Sequence, residues 1–199
     1  SLKPSKVWIV DDCSDELIDN FPKYYFKKKL LRNKKNKGPS YSCNLAAKKS
    51  NAKYIAILET DDLWKIKKLE KQYYIANKEN LDFVYCNYLL NKKKNTQRFS
   101  NNKKKIFDLI LKKWSCPNPS TFFFNRKSFL SLNGFDEKMI GSHDLDLWIR
   151  MTQSNFKIDF VNDYLVVIED YNPNQMSRNY KTRIKSNLFF LSKYKDLII

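Results

Sequence analysis

Residues 56–64 read AILETDDLW: the end of an apolar run, three acids in four positions, then Leu and Trp. The run begins at Tyr54, and YIAIL is short, apolar and bounded by polar residues, the form of a strand buried on both faces. A second stretch has the same form, Val7-Trp8-Ile9-Val10 followed by Asp11-Asp12. In open α/β sheets, ligands bind beyond the carboxyl ends of the strands, so both acidic ends are candidate site elements. A third group, Asp136, Glu137, Asp144 and Asp146, brackets a turn and a helix start. With Asp15, Glu16 and Glu59, these groups hold 11 of the 21 acids in a chain of formal net charge +17. Negative charge is therefore concentrated where a sheet would present it.

Working outward, strands and helices alternate. DELIDNFPKYYF (15–26) reads as helix or loop, and the Lys-rich stretch to Gly38-Pro39 as an exposed connection. Helices are expected over 41–50, from Leu63 to about Asn77, near 106–113, around 127–132 and over 144–153. Strands are expected within 82–90, over 121–124 and over 164–168, with a polar surface loop at 91–105 and a basic tail leading to an aromatic-rich helix. The alternation predicts an α/β sandwich with a largely parallel sheet. No internal repeat or domain boundary is visible, so the 199 residues read as one domain.

Composition narrows the function classes. Hydrophobic content of 42% and aromatic content of 15% are globular values. No apolar run reaches the length of a membrane span, and SLKPSK lacks a secretory apolar region. Cys13, Cys43, Cys86 and Cys116 are widely spaced and read as free thiols of a reducing cytosol. Only six of the 38 basic residues are Arg. Nucleic-acid readers favour clustered Arg with aromatic platforms, so the lysines read as solvated faces, with a basic surface suited to peripheral contact with an anionic leaflet.

The acids suggest chemistry by elimination. Like charges close together need a compensating cation, and carboxylates are hard oxygen ligands suited to Mg²⁺ or Mn²⁺. A single His and no Cys/His cluster argue against zinc. Three glycines leave no Gly-rich loop to cradle phosphates, so a diphosphate would have to be neutralised by a metal on carboxylates together with Lys or Arg. Local structure offers a competing account: Asp11–Asp15 as an Asx turn, and Thr60, Asp61 and Asp62 as caps of the following helix.

VWIVDDCSDE (7–16), AAKKSNAKYIAILETDDLW (46–64), PNPSTFFFNRKSFLSLNGFDE (117–137) and GSHDLDLWIRM (141–151), in that order, resemble the family 2 glycosyltransferases of the GT-A fold. The resemblance covers residues 5–155, leaving 156–199 as a C-terminal strand, basic segment and helix of a single catalytic domain. It implies a Rossmann-like, mostly parallel sheet flanked by helices, and an enzyme moving a sugar from a nucleotide-diphosphate donor, a UDP-sugar, to an acceptor hydroxyl with inversion. The acceptor class implied is a glycan, lipid-linked or protein-linked precursor of a cell-surface polymer, handled in the cytoplasm at the inner face of the plasma membrane. By matching position, Asp12 contacts the nucleotide base with Asp11 beside it, Asp61 holds the ribose, and Asp62, with Asp61, binds a divalent Mn²⁺ or Mg²⁺. Gly38 and Asn44 flank the nucleotide pocket, and Asp144, six residues before Arg150, is the general base. Asp12, Asp62 and Asp144 are expected to line one cleft.

The resemblance has departures. Glu59 stands where the family usually has Asp, and His143 where it usually has Glu. The family also opens with a strand and helix ahead of the first acidic motif, whereas this chain starts at Ser1, so an N-terminally incomplete fold is expected. Two other readings stay open, a truncated paralogue without catalysis and a Lys-rich module binding anionic polymers.

Overall fold

The computed structural model describes residues 1–16, 18, 26–91, 93–95, 116–168 and 180–198. The chain opens with β1 (Lys6–Asp11) and β2 (Lys27–Arg32), which pair in parallel from Lys6↔Lys27 to Asp11↔Arg32 as a sheet of their own. Helix α1 (Gly38–Lys49) follows, then β3 (Tyr54–Ala56), β4 (Asp62–Trp64), α2 (Lys68–Lys78), β5 (Phe83–Leu90) and β6 (Lys93–Asn95). After a 3₁₀ turn at Pro119–Thr121 come β7 (Phe123–Asn125), α3 (Arg126–Ser131), α4 (His143–Gln153), β8 (Ile158–Ile168), α5 (Tyr180–Lys193) and α6 (Lys195–Ile198). Strands β3 to β8 form one six-stranded sheet, ordered β3-β7-β5-β8-β4 with β6 on β5.

The sheet is mixed where a largely parallel one was expected. β5 and β8 run parallel, while β3·β7, β5·β7, β4·β8 and β5·β6 are antiparallel. The reason is physical. Phe122, Phe123 and Phe124 are all buried, so this antiparallel stretch carries the continuous apolar run usually associated with parallel sheets. Apolarity reports burial on both faces and says nothing of strand direction.

Two other expectations are corrected. Lys27–Arg32 (KKKLLR), expected as an exposed connection, is strand β2; a Lys-rich strand at a sheet edge has no apolar alternation to reveal it. The helix expected from Leu63 begins at Lys68, because Asp62–Trp64 pairs with Val166–Ile168 of β8. The last strand is longer than expected, Ile158–Ile168. The helix expected near 106–113 lies outside the described residues.

The core is aromatic. Phe83 on β5 lies 4.4 Å from Phe124, 5.2 Å from Phe122 and 5.2 Å from Trp148, ring centre to ring centre, in the offset and edge-to-face range that favours ring pairs. α4 buries Leu145, Leu147, Trp148, Ile149 and Met151 in this cluster. That packing fixes the start of α4, where Asp144 sits.

Candidate active site

The site is built around Glu59, in the turn between β3 and β4. Its backbone N–H donates to Ser120 Oγ (2.9 Å), and its Oε2 accepts from Asn118 Nδ2 (3.0 Å). Burial, then the negative charges of Asp62 and Asp144, push the Glu59 carboxyl up to about 8, with Asp61 adding to the effect and Asn118 opposing it. Asp62, the first residue of β4, is pushed up to about 6 by burial, with Ser120 opposing and Asp61 adding. Its Oδ2 is buried and has no hydrogen-bond partner. A buried carboxylate oxygen left without a donor is costly unless something else neutralises it.

Asp144 enters from the first turn of α4. Leu145 N–H donates to its Oδ1 (2.9 Å) and the Cys116 thiol to its Oδ2 (3.3 Å). Burial first, then Asp144 and Glu59, hold the Cys116 thiol well above its ordinary value. Cys43 on α1 is pushed up to about 12 by burial and by Glu59. Glu59, Asp61, Asp62 and Asp144 therefore share one electrostatic neighbourhood, walled by thiols that stay protonated.

The first acidic motif has a different local setting. Asp11, buried at the end of β1, accepts from Ser14 N–H and the Arg32 guanidinium, and those hydrogen bonds and the Arg32 charge hold its carboxyl below the usual range. Asp12 accepts from Asn33 Nδ2 (2.6 Å) and from the N–H groups of Lys37 (2.9 Å) and Gly38 (2.6 Å). It thus satisfies backbone donors at the start of α1, as a capping carboxylate does. Gly38 has φ +85°, and a Cβ there would meet open space. Beside it lies a cavity of about 490 Å³ lined by Asn33, Lys34, Lys35, Lys37 and Tyr41, with Lys37 Nζ 3.9 Å from the centre of the Tyr41 ring.

Asn44 is buried, and its amide is spent on the chain itself. Nδ2 donates to Phe135 O (2.8 Å) and Glu137 Oε1 (3.0 Å), and Oδ1 accepts from Phe135 N–H (2.9 Å). The residue ties α1 to the Gly134 turn. Asp62, Asp61 and Asp144 are thus brought together, Asp11, Asp12 and Gly38 form a second group at the α1 end of β1, and Asn44 works from behind. His143 packs edge-on against Phe135 at 5.1 Å. Asp146 is enclosed by Arg150, Lys193 and Tyr194.

Sequence reasoning left Glu59 in doubt and missed Asn118, Ser120 and Cys116. The signal for the first two was the turn-forming Asn118-Pro119; Cys116 had none. Among the described residues no three His, Cys, Asp or Glu side chains form a ready cation cage. The residues nevertheless fit a hard divalent ion. Mg²⁺-type ions are held by one or two carboxylates with substrate phosphates and water completing the shell, and Asp62 presents an unpartnered buried oxygen beside Asp61 and Glu59. Among the described residues, no helix is long and apolar enough to cross a membrane.

The profile of the family described as glycosyl transferase family 2 matches residues 1–132. An uncharacterized glycosyltransferase of Methanocaldococcus jannaschii is 29% identical over 92% of this chain and 64% of its own length. UDP-Glc:alpha-D-GlcNAc-diphosphoundecaprenol beta-1,3-glucosyltransferase WfgD of Escherichia coli is 30% identical over 74% of this chain and 59% of its own length. The chain spans under two thirds of each of these relatives. Among solved structures, S. aureus TarS 1–349 superposes with a TM-score of 0.67 at 14% identity, over 94% of this chain and 56% of that one. TarS 1–349 has also been crystallised with UDP (TM-score 0.60) and with UDP-GlcNAc (TM-score 0.65).

Proposed function

The chain belongs to glycosyl transferase family 2, and on that premise we propose that it transfers a sugar from a UDP-sugar to an acceptor hydroxyl, with inversion at the anomeric carbon. Its fold is the GT-A fold expected from the sequence. The observation that carries the reading is the meeting of Asp62, with its unpartnered oxygen, Glu59 and Asp144 in one neighbourhood drawn from separate elements. The UDP donor and a lipid-linked glycan acceptor are supported by the name of WfgD, and UDP also by the TarS complexes.

In this reading Asp62, helped by Asp61, would hold a divalent Mg²⁺ or Mn²⁺. Such an ion supplies positive charge for the leaving diphosphate. Asp144 takes the proton of the acceptor hydroxyl as its oxygen attacks the anomeric carbon from the face opposite the leaving group. Glu59, anchored by Asn118 and Ser120, keeps the acidic pocket tight. The nucleotide lies along Asp12 and Gly38 beside the lysine-lined cavity, with Asp61 at the ribose. Asp11 and Asn44 hold the walls, Asp11 through Arg32 and Asn44 through Phe135. The 199 residues act as one catalytic domain in the cytoplasm, at the inner face of the membrane, building a cell-surface glycan.

Calorimetric titration with UDP and Mn²⁺ tests the centre of the proposal. Binding is expected for the unsubstituted chain and lost on Asp62→Ala. Undiminished affinity in that variant would overturn the role given to Asp62.

A further inference from the structure

Beneath the Asn118–Thr121 turn lies a buried polar group that the transfer chemistry does not use. Trp64 Nε1 donates to Ser120 O (2.8 Å), Gln72 Nε2 to Thr121 O (2.8 Å) and Lys68 Nζ to Phe122 O (3.5 Å). Three successive carbonyls are thus each met by a donor from β4 or α2. The donors are also joined to one another. Lys68 Nζ donates to Gln72 Oε1 (2.7 Å) and lies 4.1 Å from the Trp64 ring centre. Lys68 and Gln72 are fully buried. The other side of the same turn makes two hydrogen bonds with Glu59, from Asn118 Nδ2 to its carboxylate and from its N–H to Ser120 Oγ.

A buried ammonium is a poor way to fill a core, since it loses its hydration and an apolar side chain of similar volume would not. Burial pushes the Lys68 amine down to about 8. What the group provides is direction, because donors aimed at consecutive carbonyls leave a turn little freedom to slide or rotate. Trp64 follows Asp62 by two residues on β4, so the strand that carries the unpartnered carboxylate also carries one of the donors.

We propose that Trp64, Lys68 and Gln72 are positioning residues that fix the Asn118–Thr121 turn and, through it, set Glu59 and Asp62 for binding the cation and diphosphate. What the site binds rests on the sugar-transfer reading; the mechanical link between the triad and Glu59 does not. Outer partners that orient ligating groups typically change metal affinity tenfold or more when removed.

Two variants separate positioning from plain stability. Gln72→Glu keeps the volume and a partner for Lys68 but replaces with an oxygen the nitrogen that donates to Thr121 O (2.8 Å) and, at 3.4 Å, to Val84 O. Trp64→Phe keeps a ring and removes only the donor to Ser120, and its half-buried site tolerates the change should Gln72→Glu fail to fold. Amide hydrogen exchange in the ¹⁵N-labelled chain, without ligand, is expected to accelerate at Glu59 by roughly tenfold while the amides of Leu147–Met151 in α4, which make no hydrogen bond to the triad, keep their rates. General destabilisation would instead move the α4 amides together with Glu59. Affinity for UDP with Mn²⁺ is expected to fall roughly tenfold in the same variants. Unchanged exchange at Glu59, or faster exchange with unaltered UDP affinity, overturns the proposal. If the unsubstituted chain binds no UDP, the sugar-transfer reading falls and exchange at Glu59 alone decides the positioning role.

Discussion

Asp146 and Asp62 are both buried aspartates, with 0% and 6% of their surface exposed, and their surroundings are opposite. Asp146 Oδ2 accepts from Arg150 Nε (2.8 Å) and Nη2 (2.6 Å), while Oδ1 accepts from Lys193 Nζ and the Tyr194 hydroxyl. Asp62 has an oxygen with no partner and lies among other acids. The first is a keystone that locks α5 onto α4. The second is the arrangement that the cation site proposed above calls for, since unrelieved buried charge persists mainly where function requires it. Acid content alone does not separate the two; the donors around each acid do.

Removing Asp146 should therefore give the largest loss of stability. Asp146→Ala leaves Arg150 and Lys193 without their shared acceptor and should cost about 3 kcal/mol in urea unfolding. Lys193 keeps Asp136, and Arg150 keeps Leu132 O, which holds the loss to the low end for a buried ion pair. A loss below about 1 kcal/mol would mean that the pair behaves like a surface salt bridge. Next comes Gly134→Ala, which probes how Asn44 holds α1. The added Cβ would stand 2.2 Å from Asn44 Oδ1 on a backbone with φ +67°, so roughly 2 kcal/mol should be lost. Equal midpoints for the two chains would break the assignment of Asn44 as a tie.

The pH dependence sharpens the comparison from the acidic side. Glu59 titrates near 8 in the folded chain against an ordinary 4.5. The folded state thus holds the extra proton across that window, and stability should fall as pH rises from about 4.5 to 8. Asp62 adds the same sign between 3.8 and about 6. Asp11 and Asp136 act the other way: their carboxyls are held below 3.8, so their contribution is present above that value and lost as pH falls through the depressed range. Unfolding free energies at pH 5 and pH 8 should show the chain weaker at pH 8, and Glu59→Gln should flatten the upper part of that slope. Mn²⁺ with UDP should restore stability at pH 8 by binding the folded state alone.

Much of this molecule was legible in its sequence because strands write themselves as apolar runs, although VWIV and the YIA of β3, expected to be buried on both faces, are only half-buried and the buried run is that of β5. VWIV, YIAIL, FVYCNYLL and the α4 repeat all gave elements near where they lie. β2 was hidden because an exposed Lys-rich edge strand has no hydrophobic period to read. The mixed strand directions were hidden because burial carries no arrow. At the site, Asp62 and Asp144 could be named from motifs, and both join the acidic neighbourhood. Whether an acid is neutralised by other residues of the chain is a property of distant partners, and so the roles of Asp12 and Asn44 in local structure were out of reach. Lys193 and Tyr194, which close around Asp146, lie nearly fifty residues further along the chain. Cys116 and Ser120 meet the acids only through the fold.

The smallest expected effect is also the most discriminating. Asp62→Asn swaps one member of a mutually repelling buried group for a neutral amide of nearly the same shape. If Asp62 is held charged only for a cation, the folded chain should lose nothing by the change, and at pH 8 should gain up to about 1 kcal/mol, as relief of unfavourable buried charge allows. Asp146→Asn, chemically the same substitution, should destabilise clearly, because Arg150 and Lys193 lose the charge they are paired with. The pair of variants is read by urea unfolding at one pH, side by side. Equal losses would show that Asp62 is as internally satisfied as Asp146, and the distinction between keystone and site would fail. A loss confined to Asp146→Asn, together with abolished UDP and Mn²⁺ binding confined to Asp62→Asn, assigns stability to one aspartate and ligand capture to the other.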